Sequence, residues 1–591
     1  METLQKSVHY LASDELEGRG MGTQGLETAA QYIGGYFSGL GLKPPPGQND
    51  YFQEFTYTAI TGIAPQTRLA INQLPAGGPN GPQAAPDFVP LAISAEGEFQ
   101  GPVAFVGYGI RTKEYDDYAG VDLRGKVALA LMHQPHDAEG RSRLGRDRWS
   151  DMRKARLAAE RGAAALLLVH PPAHHGAENL DATIERRSME AAPIPVIQVS
   201  AEIANRMLRD AGTRDLATYQ SQIDSTFTPH SLILRKSQVN GAVAFARTTY
   251  RLQNVMALLP GKGMRAKEYI VVGAHYDHLG RGGFGSLAPG SREIHNGADD
   301  NASGTAAIME IARLFSISDR LPRSILFVAF SGEEHGLLGS RHWVENPPVP
   351  LKRVVAMLNF DMVGRVRDNR IMIGGASTAG PFEELLRRAD DASPLAISTM
   401  ISESTAQTAG FNWSAGVAPS DSTSFVLRRI PVLFFWSGNH PDYHKPTDDA
   451  DKINYEGLAQ TVDLATDVIR HLSITRDLRY TEPPSSTQPT TQPADPSLRS
   501  GGATLGIVPE YGEPTVRGVK LAGTMPGSPA AKAGLLPGDV LVEFDGRKID
   551  GIYDLTDALS DATPGETVKL RLLRNGDFVE MSVTLGQRRG R

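Results

Sequence analysis

Four almost uninterrupted apolar runs, Tyr269 to Ala274, Ile325 to Phe330, Val354 to Phe360 and Pro431 to Trp436, are separated by segments each long enough for a helix. Runs without polar alternation are what strands covered on both faces of a mostly parallel sheet require. They predict an α/β domain whose mixed, mostly parallel sheet is flanked by helices. Between Ser303 and Phe315 the apolar positions 308, 311, 312 and 315 keep helical spacing, with Ser303 placed as an N-cap. Open α/β sheets bind ligands in the crevice beyond the carboxyl ends of their strands. The residues just beyond the end of each run are therefore the informative ones.

The first run is followed at once by His275, in "HYDHLG", and the second by Ser-Gly and then Glu333 and Glu334. Asp361 follows the third, and a short loop with "DYHKPTDD", containing His444, follows the fourth. Between the first two, "HNGADDNASG" puts Asp299 and Asp300 just before the helical stretch. One histidine or aspartate in such a place is usually structural. Five at one edge of one sheet point to metal. The chain has no cysteine, so a metal must sit on His, Asp and Glu, and two His with three carboxylates suit two zinc ions. Two Zn²⁺, three carboxylates and one hydroxide sum to zero charge, which keeps the cost of burial acceptable. One carboxylate would bridge metals about 3.5–4 Å apart, which share a water and polarise a carbonyl.

In "HYDH", "GADDNASG", "SGEEHGLLGS", "NFDMVG" and "DYHKPTD", in this order, the chain resembles the co-catalytic zinc aminopeptidase family, which includes bacterial leucine-type aminopeptidases and the glutamate carboxypeptidases. The resemblance implies the zinc exopeptidase fold, with Asp300 bridging two zincs, one also held by His275 and Asp361, the other by Glu334 and His444. It implies that Asp277 orients the histidine ligand and that Tyr443 donates to the developing oxyanion. Neighbouring side chains of an extended segment point in opposite directions. Glu334 can thus be a ligand while Glu333 moves the proton from the attacking water to the leaving amine. The implied activity is hydrolysis of the N-terminal peptide bond of peptides. The alternatives are a carboxypeptidase or dipeptidase with the same chemistry and a non-catalytic peptide-binding relative. Neither HExxH nor HxxEH occurs, and no G-x-S-x-G elbow follows any of the four runs. Many relatives have Ser-Asp-His where this chain reads Ser420-Asp421-Ser422, which leaves Asp421 as a candidate for supporting the ligands.

At 591 residues the chain exceeds what one hydrophobic core supports, and about three or four domains are expected. The peptidase domain is expected at 1–85 and 230–475, interrupted by an insert at 90–225. With "FVGYGI", "YDDYAGVDLRGKVALALM" and "IPVIQVS", this insert resembles a β-rich protease-associated domain, lying near the active-site entrance in relatives. Within it, His170, His174 and His175 in "HPPAHHG" read as a solvated loop rather than a second metal cluster. A Pro/Ser/Thr linker fills 476–502. Residues 503–588, with "TLGIVPEY" and "GSPAAKAGLLPGDVLVEFDG", resemble a PDZ domain of the bacterial protease type. In that resemblance Leu505, Gly506, Ile507 and Val508 form the loop that captures a peptide C-terminus by strand addition. A helix is expected at Ile552 to Leu559. Net charge of -7 with 21% charged residues lacks the basic excess that nucleic-acid binding needs. No 18-residue apolar window predicts a membrane span. The visible N-terminus has no signal-peptide pattern, while the family resemblance implies an extracytoplasmic enzyme whose leader is not in this chain.

Overall fold

The computed structural model describes residues 1–78, 87–137, 140–144, 149–172, 180, 191–283, 285–288, 290–399, 420–481, 503–509, 518–524, 528–549, 555, 558–559, 562–574 and 576–587. One eight-stranded sheet has the order Phe52–Ile63, Phe245–Leu259, Ser324–Phe330, Tyr269–His275, Val354–Phe360, Val432–Trp436, Arg370–Gly374 and Ala396–Ser398. The four predicted runs are its parallel centre, paired in a register that sets His275 beside Phe330 and Gly273 beside Asn359. Their carboxyl ends therefore share one edge.

Packing explains the unbroken apolar runs. Ile270, Val272 and Ala274 face a core built with the helices Glu2–Leu11, Gln24–Gly39, Gly304–Ser316 and Tyr455–Ile474, whereas Val271 faces the opposite core around Trp343 and Phe425. Each fully buried Val, Leu, Ile or Phe contributes about 1.5–3 kcal/mol, so neither face tolerates polar alternation. Ile308, Ile311, Ala312 and Phe315 are buried as their spacing requires. The expected cap differs. Ser303 makes no side-chain cap; instead Asn301 Oδ1 accepts from Gly304 N at 2.9 Å, while Ser303 Oγ donates to Asp299.

The insert forms its own eight-stranded sheet with a separate core and the helices Asp151–Glu160, Ala201–Asp210 and Leu216–Thr226. Its sheet takes in Arg68–Ile71 and Ser231–Val243, so it reaches beyond residues 90–225 at both ends. The junction falls where the Phe52–Ile63 and Phe245–Leu259 ribbon ends, with Ala64 N donating to Ala244 O at 2.9 Å. The C-terminal unit is a small β domain around Leu505, Leu521, Leu541, Leu570 and Val583. Its strands include Val540–Phe544, Thr567–Arg574 and Asp577–Thr584. Most of the linker and of the Ile552 to Leu559 stretch lies outside the described residues. Among the described residues, no helix is long and apolar enough to cross a membrane.

Candidate metal centre

The common strand edge brings all five predicted ligands together. Asp300 sits at the middle: its Oδ1 is 3.4 Å from His275 Nε2 and its Oδ2 is 3.1 Å from His444 Nε2. Asp361 Oδ1 lies 3.3 Å from His275 Nε2, and Glu334 Oε2 lies 3.3 Å from His444 Nε2. Two triads thus share one carboxylate. Asp299 turns away, its Oδ1 accepting from Gly364 N at 2.6 Å and from Ser303 Oγ at 3.0 Å, and its Oδ2 lying 3.2 Å from His440 Nε2.

Main-chain carbonyls decide which ring nitrogen faces the carboxylates. His275 Nδ1 is 3.1 Å from the Asp277 carbonyl, and His444 Nδ1 is 2.7 Å from that of Gly285. A carbonyl only accepts, so each Nδ1 carries the proton and each Nε2 presents its second site to carboxylate oxygens. That geometry calls for positive charge, a proton or a metal ion, at each Nε2. Burial disfavours charge on His444, but Glu334 and Asp300 outweigh it and push the imidazole up to about 11. For His275 burial is likewise outweighed, by Asp361, Glu333 and Asp300. The donor set of imidazoles and carboxylates fits zinc. His275, Asp300 and Asp361 have donor atoms within 4.8 Å of one another, as do His278, Asp300 and Glu334.

His278 is not singled out by the sequence pattern. Its Nδ1 donates to Glu334 Oε1 at 2.9 Å and lies 3.9 Å from Asp300 Oδ2. His444 is closer to Asp300 and takes the other oxygen of Glu334, so His278 orients that carboxylate. Sequence reasoning also misses Asp448: its Oδ2 accepts from Asp299 N at 2.8 Å and Asp300 N at 3.1 Å, and its Oδ1 from Arg365 at 3.1 Å. The only sequence signal for either is proximity to a predicted ligand, in "HYDH" and "KPTDD".

Asp277 is fully buried and accepts the N–H groups of Glu333 at 3.1 Å and Glu334 at 3.3 Å. Its carboxylate is 3.9 Å from His275 Nδ1, so the closer contact to the imidazole is its own carbonyl, and the side chain holds the glutamate loop. Burial pushes it up to about 6, with His275 opposing. Glu333 is half-buried; burial holds its carboxyl well above the usual range, His275 opposing and Glu334, Asp361 and Asp421 reinforcing. Tyr443 stacks on the His444 ring at 3.9 Å between centroids, and burial beside Asp300 and Glu334 raises its phenol far above its ordinary value. Ser420 Oγ donates to Asp361 Oδ2 at 2.7 Å, leaving Oδ1 for the metal side. Asp421 is fully buried and pushed up to about 7, mainly by burial.

His170 belongs to the insert, its ring 5.8 Å from that of His133, away from the strand edge; His174 and His175 lie outside the described residues. In the C-terminal domain Leu505 is buried in the core, Gly506 has φ +66, and Ile507 and Val508 lie on the edge strand Ile507–Pro509.

Residues 254–469 match peptidase family M28, and residues 503–585 match the PDZ domain family. Over the first of these regions the chain is similar to a peptidase family. The matched region 254–469 holds all five predicted ligands and Glu333. Leucine aminopeptidase 1 of Arthroderma otae is 25% identical over 318 residues, 52% of this chain and 80% of that protein. Aminopeptidase YwaD of Bacillus subtilis strain 168 is 29% identical over 228 residues, 37% of this chain and 45% of that protein. This chain thus spans less than half the length of the second relative. An aminopeptidase from Aneurinibacillus sp. strain AM-1 aligns in structure with TM-score 0.47 and 20% identity, over 84% of this chain and 96% of that one.

Proposed function

We propose that the protein is a di-zinc aminopeptidase that hydrolyses the N-terminal peptide bond of peptides. The observation that carries this reading is Asp300, whose two oxygens face the Nε2 atoms of two imidazoles, each with Nδ1 tied to a main-chain carbonyl. His275 and Asp361 would hold one ion, His444 and Glu334 the other, with Asp300 between them. Zinc bound there supplies Lewis acidity, lowering the pKa of water towards about 7 and polarising the scissile carbonyl. Glu333, in the same cluster but outside both triads, takes the proton from the attacking water and delivers it to the leaving amine. Tyr443 donates a hydrogen bond from its phenol to the developing oxyanion. Asp277 holds Glu333 and Glu334 in place through their N–H groups. The relatives' names, leucine aminopeptidase and aminopeptidase, support the choice of a free N-terminus over a C-terminus. We further propose that the insert is a protease-associated domain restricting access to this edge, and that the PDZ domain captures peptide C-termini at its edge strand.

The test is hydrolysis of leucine-p-nitroanilide and its N-acetylated counterpart, before and after chelation and zinc restoration. Chelator-sensitive cleavage of the free-amine substrate alone is expected. Equal cleavage of both, or cleavage that survives complete removal of metal, overturns the reading.

A further inference from the structure

Arg19 belongs to "DELEGRG", a segment that precedes both family-matched regions, yet it is fully buried against the metal centre. Its Nε donates to the Tyr276 carbonyl at 2.7 Å, Nη1 to those of Asn296 at 2.8 Å and Leu11, and Nη2 to that of Gly297 at 2.9 Å. Tyr276 stands between His275 and Asp277. Asn296 and Gly297 open the loop that carries Asp300. The contact is returned: His278 N donates to the Arg19 carbonyl at 3.2 Å, and Gly280 N to that of Gly18 at 3.1 Å. One planar guanidinium therefore spans the strand end that carries the first histidine and the loop that carries the shared carboxylate.

The backbone around it admits little else. Gly18 has φ +61, and a Cβ there would lie 2.3 Å from the His295 carbonyl oxygen and 2.6 Å from that of Gly280. Arginine suits the place because it offers five donors in a fixed plane and keeps its charge when buried, whereas lysine offers a point charge on a flexible stem. Burial pulls Arg19 down to about 10, against the opposing pull of Asp277, Asp300, Asp448 and Glu334.

We propose that Arg19 is a positioning residue of the metal centre: its four carbonyl contacts set the spacing between His275 and Asp300. This rests on the di-zinc reading above. The experiment compares the full-length wild type with Arg19→Lys and Arg19→Ala, measuring zinc affinity by competition with a chromophoric chelator, kcat and KM on leucine-p-nitroanilide, and thermal melting. Arg19→Lys is expected to melt cooperatively, to bind at least one zinc about 10–100-fold more weakly, and to lose kcat while KM stays within about twofold. Millimolar guanidinium is expected to restore part of the zinc affinity of Arg19→Ala. A folded Arg19→Lys with wild-type zinc affinity and kcat overturns the proposal. So does failure of both variants to fold, which would assign Arg19 to folding alone. A wild type that binds zinc but cleaves nothing sinks the aminopeptidase reading only, because the affinity comparison still decides for Arg19.

Discussion

His278 Nδ1 lies 2.9 Å from Glu334 Oε1, with both side chains buried. The bond occupies one carboxylate oxygen and leaves Oε2 for the His444 side, 3.3 Å away. Replacing His278 by Phe removes the donor at similar volume, and loss of such a contact to a ligand typically costs 10–100-fold in metal affinity. His278→Phe is expected to keep one zinc at wild-type affinity and weaken the other by about that factor, measured by competition titration. His278→Asn, which can place an amide N–H near the Nδ1 position, is expected to fall between the two.

Glu333 lies in the same cluster as the triads without belonging to either. Glu333→Gln removes the base but keeps the shape, so zinc content should stay unchanged while kcat falls about 10²–10⁴-fold. Metal analysis alongside single-turnover kinetics checks both halves. A wild-type rate with full zinc occupancy would remove Glu333 from the chemistry.

In the insert, Asp117 is fully buried and accepts from Tyr108 N, Ile110 N and Tyr115 Oη. Burial outweighs these donors and pushes the carboxyl up to about 7. A folded pKa above the unfolded value means that the native state binds more protons between about pH 4 and pH 7, so stability falls as pH rises through that window. Asn at this position can accept both N–H groups at Oδ1 and donate from Nδ2 to Tyr115 Oη, without titrating. The stability of wild type relative to Asp117→Asn is therefore expected to decline from about pH 4 to about pH 7 and then level off, read from hydrogen exchange of the Tyr108 and Ile110 amides. A difference independent of pH contradicts the assignment.

Among the described residues, the edge strand Ile507–Pro509 pairs with Val519–Thr524 on one side only. If the loop from Leu505 to Val508 captures a carboxylate, full-length protein should bind a fluorescent peptide with a free C-terminus and ignore its amidated form. A chain ending at residue 480 should bind neither. Gly506 at φ +66 disfavours any side chain, so Gly506→Val should weaken binding while leaving leucine-p-nitroanilide hydrolysis unchanged. Equal binding of the amidated peptide would remove carboxylate capture as the function of this loop.

Much of the catalytic domain is legible from local pattern. The four apolar runs predict the parallel strands to within a residue or two, because a strand covered on both faces cannot alternate. The insert's limits are less legible: Arg68–Ile71 and Ser231–Val243 join its sheet, and pairing between strands about 170 residues apart in the chain leaves no local mark. The helix cap moves from Ser303 to Asn301 for a related reason, since both are good capping residues and a local contact with Asp299 and a tertiary one with Val363 draw the serine away.

The sequence by itself determined which residue types stand at the strand ends, because periodicity fixes where a buried strand stops and the next polar residue must emerge at the sheet edge. Only the tertiary structure decided which of them stand together. Asp300 rather than Asp299 faces His275 and His444, because Gly364, Ser303 and His440 hold Asp299. The facing nitrogens of His275 and His444 depend on the carbonyls of Asp277 and Gly285. The bracing of both loops depends on Arg19, whose partner Tyr276 is 257 residues away. These contacts run largely through main-chain groups, which every residue possesses, so no side-chain pattern could have announced them.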